Sequence, residues 1–482
     1  MHDPQDLVRD TNEPRERQES ADPRRWTALA VIAVAQFMLI LDLTVVNVAL
    51  PDLGADLDLS RTAFTWAVSA YVLFFGGLLL LGGRLADAFG ARPVMLTGLV
   101  IFTLASLASG LAQTQTLLLG GRIGQGVGAA LLSPAALAAI TSSFHGVERN
   151  KALSIWASLG GIGFAAGVLI GGILTAGPGW RWVFFINVPV GVVLLAAIRA
   201  VVPPRHHPDR PARLDVLGAV TVTTATGSLI YGMINAGDQG WADLGTLLPI
   251  AAAIVLYGVF VVVERTVPTP LLHPSLLSRQ PVAAGAFLML VASGVLVAGV
   301  FLGSQYLQHL RGRSALETGL FFLPAALALV IGAITAGRLV GTIGTRRVAV
   351  VGLALVAIGN ALLIGLSADG NVYVEALPGV VVFALGGGPL FVCATTSALG
   401  RAGQHEAGVV SGVVYTFHEL GAAICVAVAS TVAAAGLTRT PSIDGFTDAF
   451  TVFTIAAAVA AVLSLRLVPP GKWLATRSSE RR

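Results

Sequence analysis

Gly83–Pro93 reads GRLADAFGARP, and Gly337–Arg347 reads GRLVGTIGTRR. Gly-Arg-Leu, the later glycine and the arginine after it recur at identical offsets, 254 residues apart, five matches in eleven. Long apolar runs flank each loop. A glycine-arginine loop that occurs twice between hydrophobic helices marks a duplicated helical bundle, the build of many membrane carriers.

Composition agrees. Of 482 residues, 55% are hydrophobic and 12% charged, with mean hydropathy +0.80, far outside the soluble range. The 56 glycines and 23 prolines would disrupt soluble helices. They suit membrane helices, where small residues let backbones approach and neighbours satisfy the bonds that a kink frees. No basic run has interleaved aromatics, so nucleic acid is not a partner. Cys393 and Cys425 lie in separate apolar segments and read as buried, inert thiols. No metal-spaced His/Glu cluster is present, so no metal site is expected. The Gly471-Lys472 pair is followed by Trp473, which is not a P-loop, so bound nucleotide does not supply the energy.

Fourteen apolar segments are long enough to cross ~30 Å of hydrocarbon. They run 27–49, 63–82, 94–112, 116–140, 152–175, 183–202, 215–236, 246–264, 282–308, 316–337, 347–367, 375–398, 407–433 and 448–468. Placing both termini in the cytoplasm puts 24 of the 30 lysines and arginines on that side. Arg61, Arg181, Arg311, Arg313 and Arg439 remain outside, and Arg122 lies within a span. The densest inner cluster is Arg199, Arg205, Arg210 and Arg213. The expected molecule is a multi-pass protein of the cell membrane, with the lipid bilayer as its surroundings and both glycine-arginine loops inside.

The repeat offset exceeds one six-helix unit, Trp26–Val202, by about two spans, so two helices are inserted between the bundles. The organisation is a disordered cytoplasmic tail (1–25), a six-helix bundle (26–202) and a cytoplasmic linker (203–214). Inserted helices 7 and 8 (215–266), a second six-helix bundle (282–468) and a cytoplasmic tail (469–482) follow. Seven acids, five arginines and few apolar residues make the first tail unlike a signal peptide. The insert, nearly free of charge, reads as packing, with Glu264 and Arg265 as surface anchors at its end.

Further motifs follow in order: Leu41–Pro51 (LDLTVVNVALP), Gly83–Arg92 with Asp87 and Gly90, Arg122–Gly128 (RIGQGVG), Trp180–Gly191 (WRWVFFINVPVG) and Asp215–Gly218 (DVLG). On these the chain resembles the fourteen-helix drug:proton antiporter branch of the major facilitator superfamily, over all but its tails. The resemblance implies an all-α membrane protein of the major facilitator fold, with two pseudo-symmetric six-helix bundles and a two-helix insert. It implies antibiotic or multidrug efflux by alternating access: a drug-like small molecule leaves in exchange for protons, with no cofactor and a monomeric carrier. Gly83, Asp87, Gly90 and Arg92 would form the gating loop. The branch's helix 5 motif has Gly-Pro where this chain has Gly167-Val168. Gly163, Gly167 and Gly171, at spacing four, still offer one face for close packing. Gly341 stands where the second loop would repeat Asp87, so the halves are not expected to gate identically.

A charge near the bilayer centre costs at least ~2.5–3.5 kcal/mol, so each one asks for a reason. Rise along a helix, 1.5 Å per residue, puts Asp42 and Arg122 at about the same depth and Glu419 near mid-membrane. Asp42, Arg122 and Glu419 are therefore the proton-coupling candidates. Against that stand a fixed Asp42–Arg122 ion pair bracing two helices and a neutral Glu419 bonded to a neighbour. Asp87, at the end of helix 2, would cap a neighbouring helix or pair with an arginine. Gln36, Trp66, Gln125, Gln305, Tyr306, Tyr415 and His418 are the candidate cavity residues. Proton-coupled uptake is the alternative function. An enzyme is excluded by the lack of a Ser/His/Asp set at a shared depth, and a sensor by the shortness of every loop.

Overall fold

Among the described residues every regular element is helical. The computed structural model describes residues 24–470 apart from 60, 145, 204–214, 268–269, 271, 273, 368–369, 401, 403–405 and 434–442. Nearly all of both expected tails and of the linker, with Arg205, Arg210, Arg213 and Arg439, lie outside the described residues.

Fourteen long helices carry the fold. They are α1 (Arg25–Asp56), α2 (Arg61–Phe89), α3 (Ala91–Gly110), α4 (Gln115–Ser143), α5 (Gly146–Ala176), α6 (Asn187–Val201) and α7 (Val216–Gln239). Then follow α8 (Leu244–Thr266), α9 (Gln280–Gln305), α10 (Ala315–Ile343), α11 (Thr345–Leu363), α12 (Leu377–Leu399), α13 (Ala407–Val432) and α14 (Asp444–Leu467). Among the described residues thirteen helical spans, α5 apart and with α6 extended back to Trp182, have a length and hydropathy sufficient to cross a membrane; α5 is 31 residues long. Starts are set by side chains that take the first free N–H groups. Thr114 accepts from Leu117, Asp215 from Gly218 and Asp243 from Gly245. Ser314 and Glu317 form a reciprocal capping box at α10.

The duplication is visible in packing. In the first half α2 and α3 pack on α4, α1 on α5, and α3 on α6. In the second, α10 and α11 pack on α12, α9 on α13, and α11 on α14. The repeated loops share backbone geometry: Gly90 has φ 91° and ψ 146°, Gly344 has φ 88° and ψ 155°. A side chain is strained at such φ, which accounts for glycine at both positions. The repeated arginines also match. Arg92 donates to the carbonyl of Arg199 at 2.7 Å, near the end of α6, and Arg346 to that of Val468 at 2.6 Å, just past α14.

The three glycines of α5 face α1. A Cβ at Gly163 would stand 2.6 Å from Ile40 Cγ2, at Gly167 2.6 Å from Thr44 Cβ, and at Gly171 3.2 Å from Val45 Cα. On the face opposite the repeated loops, Arg181 donates to Asp56 at 2.7 Å and stacks on Trp180, whose indole donates to the same carboxylate at 3.1 Å. Those bonds, Arg181's first, hold Asp56 below the ordinary carboxylate range. The inserted α7 and α8 pack on each other, and α7 also contacts α2 and α13. Glu264 corrects the surface-anchor expectation. It is 3% exposed, and its Oε2 accepts from the backbone of Leu272 at 3.0 Å, so the chain leaving α8 folds back over it.

Candidate functional site

Asp42 and Arg122 meet directly. Arg122 Nη1 lies 2.7 Å from Asp42 Oδ2, and both side chains are fully buried. Asp42 Oδ1 accepts from the amide of Gln125 at 2.8 Å and that of Asn187 at 2.7 Å. Gln125 also donates to Ser106 at 2.8 Å, and its carbonyl accepts from Arg122 Nη1 at 2.8 Å. Arg122 Nε donates to the carbonyl of Ala67 at 2.8 Å. Its Nη2 has no hydrogen-bond partner, and the Tyr71 ring lies 4.6 Å from the guanidinium carbon. Five helices, α1, α2, α3, α4 and α6, thus converge on one ion pair. Each contributes a polar group where its neighbours are apolar. Buried charge is tolerable only when paired and hydrogen-bonded, and this pair is both.

Glu419 lies on α13, in the other half, and is also buried, at 8% exposure. Its Oε1 is 3.0 Å from Nδ1 of His418, whose side chain is 31% exposed. Gly76 of α2 makes room for it: a Cβ there would lie 3.3 Å from Glu419 Cβ. Tyr71, one and a half turns earlier on α2, sets its ring 4.6 Å from the Arg122 guanidinium carbon.

A second polar chain crosses between the halves. Trp156 of α5 donates to the Tyr415 hydroxyl at 2.9 Å, Tyr415 bonds Ser133, and Ser133 donates to Gln36 at 2.8 Å. Four helices are linked, three from the first half and α13 from the second.

On the repeat-loop face, both oxygens of Asp87 accept from the first N–H groups of α13, Gly408 at 2.7 Å and Val409 at 2.7 Å. A carboxylate at a helix N-terminus is favoured by the free donors and by the helix dipole. Backbones touch there as well: a Cβ at Gly83 would stand 2.2 Å from the carbonyl oxygen of Gly408. Arg149 of α5 makes the opposite contact, donating to the carbonyl of Leu399 at the C-terminus of α12. An acid on a helix start and a base on a helix end thus both reach from the first half to the second on this face.

The structure therefore brings Asp42, Arg122 and Gln125 into one cluster, Glu419 and His418 into another, and Gln36 and Tyr415 into the bridging chain. Trp66 and Tyr306 depart from the cavity expectation. Trp66 stacks on Tyr231 of α7 at 5.9 Å. Tyr306 is 1% exposed, packs edge-on against Phe446 and donates to the carbonyl of Ser367 at 3.1 Å. Their rings are spent on helix packing. Gln305 is half-buried at the end of α9. Ser133, Trp156 and Arg149 escaped sequence reasoning, because nothing local distinguishes a serine or tryptophan that meets a partner hundreds of residues away.

Comparison with known proteins follows the same lines. Residues 32–426 match the model of the Major Facilitator Superfamily. A puromycin resistance protein of Streptomyces alboniger is 37% identical, over 92% of this chain and 90% of its own length. A cephamycin export protein of Amycolatopsis lactamdurans is 36% identical, over 92% and 94%. The human organic anion transporter MFSD10 superposes with TM-score 0.68 at 16% identity, covering 92% of this chain and all of that one. That last likeness bears on the fold alone.

Proposed function

The chain belongs to the Major Facilitator Superfamily and is a transporter, and from that premise we propose that it exports lipophilic, cationic, drug-like compounds of the antibiotic class in exchange for protons. The arginine bias favours a cytoplasmic repeat-loop face, and the contacts of Asp87 and Arg149 across that face support a conformation closed on that side. The relatives named for puromycin resistance and cephamycin export support outward transport and an antibiotic substrate; the cationic character rests on Glu419.

One observation carries the mechanism: two buried acids lie on opposite halves, one saturated and one not. Asp42 has three donors, one of them a permanent cation. Among the described residues Glu419 meets the His418 ring alone, at 3.0 Å. Exchange needs a site that takes a proton or a substrate cation but not both at full strength, and Glu419 meets that description. A cation that reaches it displaces its proton; a proton arriving from outside releases the cation. Asp42 works on the same cycle through Arg122. Protonating Asp42 would leave the guanidinium with neutral partners, Gln125, the Ala67 carbonyl and the Tyr71 ring. That raises the free energy of the charged arginine in place and favours rearrangement of α4 against α1.

Everted membrane vesicles with an imposed pH gradient test this. Glu419→Gln should abolish transport of a lipophilic cation such as ethidium, and Asp42→Asn should uncouple transport from the gradient while leaving cation binding measurable. Wild-type rates from both single variants and from the double variant would overturn the scheme.

A further inference from the structure

The inserted helices hold none of the groups used above, yet α7 touches both α2 and α13, the helices that carry Tyr71 and Glu419. Between α2, α7 and α8 lies a cleft of about 560 Å3, within the ~300–1,000 Å3 typical of small-molecule pockets. Leu73 and Gly77 of α2, Thr223, Ser228 and Tyr231 of α7, and Leu248 of α8 line it. Leu248 is 64% exposed, and in a membrane-spanning bundle such a face meets lipid. The lining is chiefly apolar, with hydroxyl-bearing side chains among it, and the Thr223 Oγ1 is buried without a hydrogen-bond partner.

Glu419 lies just behind this wall. Gly77 lines the cleft, and its neighbour Gly76 abuts the acid. A Cβ at Gly76 would meet Ile230 Cδ1 at 2.5 Å and Glu419 Cβ at 3.3 Å. Ile230, fully buried on α7, therefore sets its terminal methyl beside the acid, in the gap between α2 and α13. Between the lipid-facing cleft and the acid stand the Gly76–Gly77 stretch of α2 and the side chain of Ile230.

We propose that this cleft is a lateral vestibule for the apolar body of a lipophilic cation, which reaches Glu419 from the bilayer when Ile230 rotates aside. The assignment rests on Glu419 being the cation-exchanging acid. Charge favours this occupant: an acid lies behind the wall and no basic residue lines the cleft, so an anionic headgroup finds no partner. A bare acyl chain has no use for an unpartnered hydroxyl. The insert, on this view, is the carrier's membrane-side door.

The test uses the full chain in phosphatidylcholine vesicles and a photoactivatable azido derivative of tetraphenylphosphonium. Light should label α7 or α8, and excess unlabelled tetraphenylphosphonium should suppress the label. Leu248→Trp at the rim and Ser228→Trp inside should each raise KM for gradient-driven tetraphenylphosphonium transport about tenfold with kcat little changed. If Ser228→Trp misfolds, the exposed Leu248→Trp decides alone. Unchanged KM, or a label that unlabelled cation does not compete away, overturns the vestibule and assigns the cleft to lipid. Glu419→Gln separates the two ideas: retained transport in that variant defeats the exchange reading whatever the cleft does. Lost transport with unaltered KM in the tryptophan variants defeats the vestibule alone.

Discussion

The two halves share a plan and differ in where they keep charge. Each packs its second and third helices on its fourth, and each holds the loop between them with a glycine near φ +90° and an arginine on a distant helix end. Carrying the 254-residue offset across, Asp42, Arg122 and Asp87 fall on Leu296, Ala376 and Gly341. The first half owns the ion pair and the latch; the second contributes one acid, Glu419, and the helix end that the latch grips. In the proposed cycle symmetry would supply the motion, two equivalent bundles rocking about their shared interface. Asymmetry would supply the chemistry, since a proton site duplicated in both halves would be filled on both sides of the cycle.

The contrast breaks most sharply at the ion pair. Asp42→Leu makes the first half resemble the second at that position but strands Arg122, which should lower unfolding free energy by about 3–5 kcal/mol. Adding Arg122→Met should restore most of that loss while leaving gradient-driven transport dead, as read by equilibrium unfolding in mixed micelles beside a vesicle assay. A double variant no more stable than the single would show that the pair is also needed for folding. The glycine contacts come next. A Cβ at Gly421 of α13 would meet the Leu290 carbonyl oxygen at 2.2 Å, whereas at Gly167 of α5 it meets the Thr44 side chain. Backbone yields less than a side chain, so Gly421→Ala should cost about 3 kcal/mol and Gly167→Ala about 1–2. Equal losses would mean that the first half's helix pair is as unyielding as the second's.

Smaller still is the latch. Asp87→Asn should weaken the closed repeat-loop face by about 1 kcal/mol, roughly a fivefold population change. Spin labels on Phe89 and Thr342 would report it as a longer distance distribution. Gly341→Asp, which copies the first loop onto the second, should shift that distribution the other way. Least of all is Gly160→Ala on α5, where a Cβ has nothing within 4 Å. It should change stability by no more than about 1 kcal/mol and in the favourable direction, because alanine is the better helix former.

What was readable in the chain followed from physics that acts locally. Hydropathy found the spans, and the repeated loop pointed to two bundles that pack alike. Counting rise along two antiparallel helices was enough to bring Asp42 to Arg122, because depth is a one-dimensional quantity. Rotation about a helix axis is not, and there the reading stopped. Trp66 and Tyr306 sat at plausible depths but point into helix contacts. The Trp156–Tyr415 bond spans 259 residues, and no local pattern selects that partner. Glu264 was misplaced for a related reason: the chain beyond α8 turns back to cover it, a path that residue types alone do not dictate.

The close approach of Gly83 to Gly408 has a kinetic meaning. Where two surfaces meet through side chains, parting them requires rotamers to unlock and repack, and the barrier grows with every interdigitated group. Here main chain rests on main chain, and Gly412 of α13 is also seated against the Leu79 carbonyl, where a Cβ would lie at 2.8 Å. Such a seam stores almost no side-chain entropy to release or recover. Its opening rate should follow the two N–H bonds to Asp87 and the single grip of Arg149, so that the tempo of the whole carrier is set by a few hydrogen bonds on a nearly bare seam.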